Sequence, residues 1–262
     1  VDPFNTDWYD VEAAGVTSRD ELRRWWVRLI EGMGPGNALF RRGLDQQFSA
    51  EAHPELAERL VGLRSRVRFA LQEAGLERQL HPLDRDLYNP ALPVGENLLF
   101  ATPLQTITPE LLVDQTEFLS QLKDLGLDAT LVAVTEEVID MLRRIFGHDG
   151  TDHPLFRNLG IDAQTYESAL DLVERTKTNG IETLGAFELA QLLTIPFRIS
   201  AEAVGGAFSD DIRNRILGLR KSHAGDLLRS LEGIFAPLDR SEFSPGLTVL
   251  ENALFGKISQ DA

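Results

Sequence analysis

The chain has 262 residues, 43% apolar and 26% charged, and contains no cysteine. These proportions exclude a disordered tail, a collagen-like fibre and a disulfide scaffold, and the missing cysteine excludes a thiolate nucleophile and a Cys-ligated zinc. A net charge of −15 disfavours nucleic acid and anionic membrane as generic partners unless a local basic patch overcomes it, and no stretch approaches the roughly 20 uninterrupted apolar residues of a membrane span.

Residues 1–16 carry Pro3, Asn5 and Gly15 and are expected to be irregular. The chain begins at Val1 without a basic-then-apolar leader, the pattern of an excised segment or a processed product. Ser18 and Glu21 have capping-box spacing, and Leu22, Trp25, Trp26, Leu29 and Ile30 follow with helical period. Gly32-Met33-Gly34-Pro35-Gly36 ends that helix. A second helix is predicted from Pro54 to Ala74, with Leu56, Leu60, Leu63, Val67 and Leu71 as its apolar stripe and Gly75 as its stop. An irregular stretch with four prolines runs from His81 to Thr106. Thr108 and Pro109 open a third helix through Leu125, closed by Gly126. Asp128 caps a fourth to Ile145, Asp162 a fifth to Lys177, and a sixth runs from Leu184 to Leu193. Pro196 breaks the sixth before Phe197-Arg198-Ile199, a candidate short strand, and Ser209 to Leu231 forms a seventh. The fold class expected is mainly α, with one small sheet.

The chain repeats itself. Residues 80–101 and 235–256 are identical at 11 of 22 positions, at a constant offset of 155. Both copies begin Pro-Leu-Asp-Arg (Pro82 to Arg85 and Pro237 to Arg240) and end in a short apolar helix start. Upstream, Arg59-Leu60-Val61-Gly62-Leu63-Arg64 matches Arg215-Ile216-Leu217-Gly218-Leu219-Arg220, and Phe40-Arg41 is matched with Phe197-Arg198. The period is too long for a solenoid and fits a duplicated helix–turn–helix unit. Residues 56–100 and 212–255 are therefore expected to superpose about a pseudo-two-fold axis. The division read from it is an N-terminal helical half, 1–106, with the first copy, and a second half, 107–262, with the other.

Within the motif, Thr248 and Glu251 have capping-box spacing, whereas Pro93 replaces the Thr in the first copy. Leu99 and Phe100, like Leu254 and Phe255, are placed to anchor the short helix to a neighbour, and Gly256 to end it. Glu96, Asn97, Phe100, Thr248, Glu251, Asn252 and Phe255 are thus the motif residues, structural or at an interface.

Val249-Leu250-Glu251-Asn252-Ala253-Leu254-Phe255-Gly256 resembles the stretch just after the Q-loop of ABC transporter ATP-binding domains, where the core joins the helical subdomain. Leu193-Thr194-Ile195-Pro196-Phe197-Arg198-Ile199, the Arg-rich helix after it, Glu251 to Ile258, and Tyr88 to Phe100 together resemble large bacterial ABC transporter ATP-binding proteins with an expanded ATP-binding region. The likeness spans residues 80–258. It implies a parent protein that is an ABC-type ATPase using ATP and Mg, with partners in the remaining ATPase core and transmembrane subunits, a possible homodimer, and a place at the cytoplasmic face of the inner membrane. The chain departs from the family where catalysis is concerned. None of Lys123, Lys177, Lys221 and Lys257 lies in the G-x-x-x-x-G-K-[ST] context of a Walker A loop. Walker B, the Leu-Ser-Gly-Gly-Gln signature and the Q-loop glutamine are missing too. No catalytic residue, cofactor ligand or metal ligand is assigned to this chain, and it is expected to be non-catalytic, with a structural or regulatory coupling role.

Two other features carry possible chemistry. His148-Asp149-Gly150-Thr151-Asp152-His153 offers imidazole and carboxylate ligands for a divalent metal, hence the alternative of a metal-dependent hydrolase. Trp25 and Trp26, among Arg23, Arg24 and Arg28, are a possible partner contact, one of them expected in the core because adjacent helical residues point about 100° apart. They leave open a free-standing helical interaction module.

Overall fold

The structure is a computed structural model that describes residues 15–34, 36–146, 161, 163–204 and 208–259. It is mainly α, with four three-residue strands among the described residues. In chain order the helices are α1 (Arg19–Gly32), α2 (Gly36–Leu44), α3 (Pro54–Glu73), α4 (Val94–Leu99), α5 (Pro109–Val113), α6 (Thr116–Asp124), α7 (Leu127–Phe146), α8 (Ala163–Asn179), α9 (Ala186–Thr194), α10 (Asp210–Arg229) and α11 (Val249–Leu254). The strands are β1 (Leu80–Pro82), β2 (Ala101–Pro103), β3 (Phe235–Pro237) and β4 (Gly256–Ile258). They form two antiparallel pairs, β1 with β4 and β2 with β3, rather than one sheet. Each pair joins one copy of the repeat to the other.

Local chemistry explains most boundaries and several departures from expectation. Glu21 N–H donates to Ser18 Oγ at 3.2 Å, so Ser18 caps α1, but the Glu21 carboxylate takes its bonds from Thr17 instead. Helix α2 lies where no helix is expected, since the breaker Pro35-Gly36 hides its start. The predicted third helix is two: Gln115 N–H donates to Leu112 O, closing α5 one turn before α6 begins. Asp128 lies inside the first turn of α7, which begins at Leu127. Phe197–Ile199 is a turn, not a strand, because Arg198 and Ile199 N–H both bond Ile195 O. The buried face of α3 is Ala57, Leu60 and Arg64, rotated from the predicted stripe, and Leu56 is exposed. The proposed cap of the fifth helix, Asp162, falls outside the described residues.

The main core collects α4 through α10, with Leu98, Phe118, Leu131, Tyr166, Phe197 and Leu227 among its buried members. A second, smaller core lies between the repeat copies. It consists of position-matched pairs: Leu83 with Leu238, Leu92 with Leu247, and Phe255 with the half-buried Phe100. Helix packing crosses over as well, α10 lying on α4 and α3 on α11. A long helix of one copy therefore covers the short helix of the other. The helix–turn–helix unit expected from the repeat is not self-contained, because the long helix packed on each short helix belongs to the other copy.

Candidate functional site: the two arginine sockets and their cleft

The motif folds around an asparagine. Asn97 Oδ1 accepts from Asn89 N–H at 2.9 Å, and its amide donates to Asn89 O at 2.8 Å and Leu92 O at 3.0 Å. Asn252 does the same in the second copy: it accepts from Ser244 N–H at 3.0 Å and donates to Ser244 O at 2.9 Å and Leu247 O at 3.1 Å. A buried amide with every donor and acceptor used fixes the turn that delivers the short helix. In each copy the helix ends on a phenylalanine with left-handed backbone, Phe100 at φ 49° and Phe255 at φ 45°, the only non-glycine residues with positive φ among those described. Phe255, not Gly256, ends α11. Gly256 belongs to β4, where a Cβ would lie 2.8 Å from Leu80 Cδ1 and 2.9 Å from His81 O. Such strain persists only where surrounding contacts over-determine it.

Those contacts come from an arginine of the opposite copy. Arg220 on α10 donates through Nε to Asn97 O at 2.6 Å and through Nη2 to Asn97 Oδ1 at 3.0 Å. Its Nη1 reaches Arg85 O at 2.8 Å and Leu87 O at 2.9 Å, and the guanidinium lies 5.2 Å from the centre of the Phe100 ring. Arg64 on α3 repeats this in reverse. It donates to Asn252 O at 2.8 Å, Asn252 Oδ1 at 3.2 Å and Arg240 O at 2.5 Å, and sits 4.4 Å from the Phe255 ring centre. Both side chains are nearly out of water, Arg220 at 1% exposure and Arg64 at 4%. They are held by carbonyls and an aromatic face, with no carboxylate of the described residues bonded to either guanidinium. Burial, the largest cause, pushes Arg220 down to about 10 and lowers Arg64 as well. Both remain charged at neutral pH. The sequence contained a signal for them: an arginine on the apolar side of a helix, four residues after Leu60 or Ile216, at matched positions of the repeat.

The two copies differ at their N-caps. Thr248 Oγ1 accepts from Glu251 N–H at 3.2 Å, and the Glu251 carboxylate accepts from Thr248 N–H at 2.9 Å, completing the capping box. Pro93 has no N–H to offer Glu96, so the matched carboxylate is left without that partner. Glu96 is buried, and burial pushes its carboxyl up to about 7; Lys257 opposes the shift and Glu251 adds to it. Lys257 itself pairs with Glu251 at 2.6 Å. Nearby, Glu202 Oε1 lies 3.1 Å from His81 Nε2 and accepts from Ser259 Oγ at 2.8 Å. The carboxylate stands between the other two groups, so the imidazole is not placed to take the serine's proton.

Between the copies opens a cleft of about 470 Å³. Leu83, Leu238, Phe100 and Phe255 are among its lining residues, and Arg68, Arg85 and Arg240 are balanced around it by Glu77, Asp84 and Asp239. The two Asp carboxylates accept from the backbone of their own turns, at Asp86 and Ser241. A cleft with equal numbers of both charges selects no single ionic ligand.

The other sequence candidates lie elsewhere. Trp25 is half-buried and Trp26 exposed, their ring centres 5.6 Å apart and edge-on, so neither belongs to the core as expected of one of them. Phe197 is buried against Gly95, whereas its sequence match, Phe40, is exposed on α2. The His148–His153 loop lies outside the described residues. Among the described residues no three His, Asp or Glu side chains gather as a metal site, and no helix is long and apolar enough to cross a membrane. No protein-family model matches the chain, and no curated protein or solved structure is significantly similar to it.

Proposed function

We propose that this chain is a helix-rich, non-catalytic segment of a bacterial ABC transporter ATP-binding protein. Its role is to couple the ATPase core to the transmembrane subunits or to a second copy, at the cytoplasmic face of the inner membrane. The observation that carries this reading is the reciprocal pair of arginine sockets. The motif residues on which the family resemblance stands, Asn97, Phe100, Asn252 and Phe255, are committed to holding two distant segments of chain in register. That is a load-transmitting arrangement, and it leaves these residues no reactive atom to offer a substrate.

Calorimetry with Mg-ATP and a phosphate-release assay test the non-catalytic part. The expected result is no saturable binding in the micromolar range and no turnover, since no Gly-rich phosphate loop with its lysine is present. Saturable micromolar binding would overturn it. The coding sequence flanking Val1 and Ala262 tests the rest: a P-loop upstream and a signature motif downstream are expected, and their absence would favour a free-standing interaction module. The exposed apolar surface of α1 and α2 is the observation favouring that second reading.

A further inference from the structure

Six of the thirteen large apolar side chains exposed among the described residues fall within residues 26–40. On α1, Leu22, Trp26, Leu29 and Met33 share one helical face, at spacings of four, three and four residues. That stripe starts buried, with Leu22 at 5% exposure, and ends open, with Met33 at 62%. Helix α2 has no buried residue, and its Phe40 is 66% exposed. Ser18 caps α1, so this is an ordered helix and not a frayed end.

The same segment is basic within an acidic molecule. Residues 15–44 carry six arginines against three acidic residues, net +3, in a chain whose total is −15. Salt screens charge beyond about 8 Å at physiological ionic strength, so a docking surface feels the hairpin and not the total. Two hairpins facing each other would pair apolar side chains but set like charges together. The remaining exposed apolar side chains, such as Leu104 and Phe187, are scattered along the rest of the chain, so a second copy offers acidic charge without a comparable run of apolar residues in sequence. A surface that takes arginine at its headgroups and Trp, Phe and Leu just beneath meets both requirements.

We propose that the α1–α2 hairpin seats this protein on an anionic phospholipid bilayer, lying in the interface with Trp26, Met33 and Phe40 inserted and Arg23, Arg41 and Arg42 at the headgroups. The proposal stands on the hairpin alone and is independent of the ABC reading; ATP binding would overturn the latter and leave this untouched.

The test is co-sedimentation of the full chain with vesicles of phosphatidylcholine containing one-quarter phosphatidylglycerol, against phosphatidylcholine alone. Tryptophan emission is followed in parallel, because all three tryptophans lie at or before residue 26. Pelleting with the anionic vesicles only, with a blue shift, is expected. Arg41→Gln with Arg42→Gln should weaken it roughly 10- to 30-fold, and Phe40→Asp, at an exposed site that leaves the helical circular dichroism unchanged, should abolish it. No pelleting, equal pelleting with neutral vesicles, or undiminished pelleting of Phe40→Asp overturns the proposal. So does a wild-type dimer in sedimentation velocity that Phe40→Asp converts to monomer, since the hairpin would then cover a second copy.

Discussion

Arg220 shows how much one side chain can hold when it is placed against main-chain carbonyls. Its fork satisfies Asn97 O, Asn97 Oδ1, Arg85 O and Leu87 O, and the two acceptors on Asn97 are fully buried. Arg220→Met keeps the volume but strands those acceptors and is expected to cost about 3 kcal/mol or more in urea unfolding. Arg220→Lys should rescue little, because an ammonium cannot span both the asparagine and the turn. Glu96 makes the opposite prediction. Its folded value of about 7 lies above the usual glutamate value, so the folded state holds a proton that the unfolded state has already lost. Its contribution is fully present below about pH 4.5 and fades as pH rises to 7, then stays constant. Glu96→Gln is therefore expected to match the wild type near pH 4 and to exceed it at pH 8, on the order of 2–3 kcal/mol. Denaturation midpoints at the two pH values check the sign; a variant weaker at pH 8 would refute it.

At the scale of elements, the two short helices are built from nearly the same residues and end alike, yet they have different neighbours. All six residues of α4 are buried, against one of six in α11. Gly95 explains part of this. Any Cβ there would meet the Phe197 ring at 2.1 Å, so α4 can press flat against the turn after α9, and Gly95 N–H donates to Pro196 O at 2.9 Å. The matched position in α11 is Leu250, whose side chain would not fit so close an approach. Gly95→Ala is expected to cost about 2–3 kcal/mol by overpacking. Combining it with Phe197→Leu should return part of that loss, because the two sites share one contact. Thermal melts of the single and double variants measure the coupling.

The whole molecule is held by exchange. Strands β1 and β2 find their partners in β4 and β3, and each long helix carries the arginine for the other copy's socket. A chain cut between residues 106 and 107 would separate both arginines from their sockets and all four strands from their partners. Each piece alone is expected to lose cooperative unfolding, and mixing the two should restore it, as followed by helical circular dichroism. Retention of a sharp transition by the isolated 1–106 piece would show that the sockets are dispensable. The same exchange makes the two copies of the repeat interdependent.

Much of this was legible along the chain because it depends on bonds between near neighbours. Ser18 and Thr248 cap helices through residues three positions away; Gly75 at φ 67° and Gly126 at φ 63° mark helix ends, and the apolar period predicts most of the helical spans. The repeat itself was visible as identity at fixed offset. The partners of those repeated residues were not. That Arg64 bonds Asn252 rather than Asn97, that Phe100 and Phe255 take left-handed backbone, and that Glu96 alone among the matched carboxylates is buried without a cap all depend on which surfaces meet after the chain has reversed. Local periodicity specifies which face of a helix seeks cover, but two nearly identical sockets offer the same cover. Only the crossed packing of α3 on α11 and α10 on α4 decides which arginine fills which.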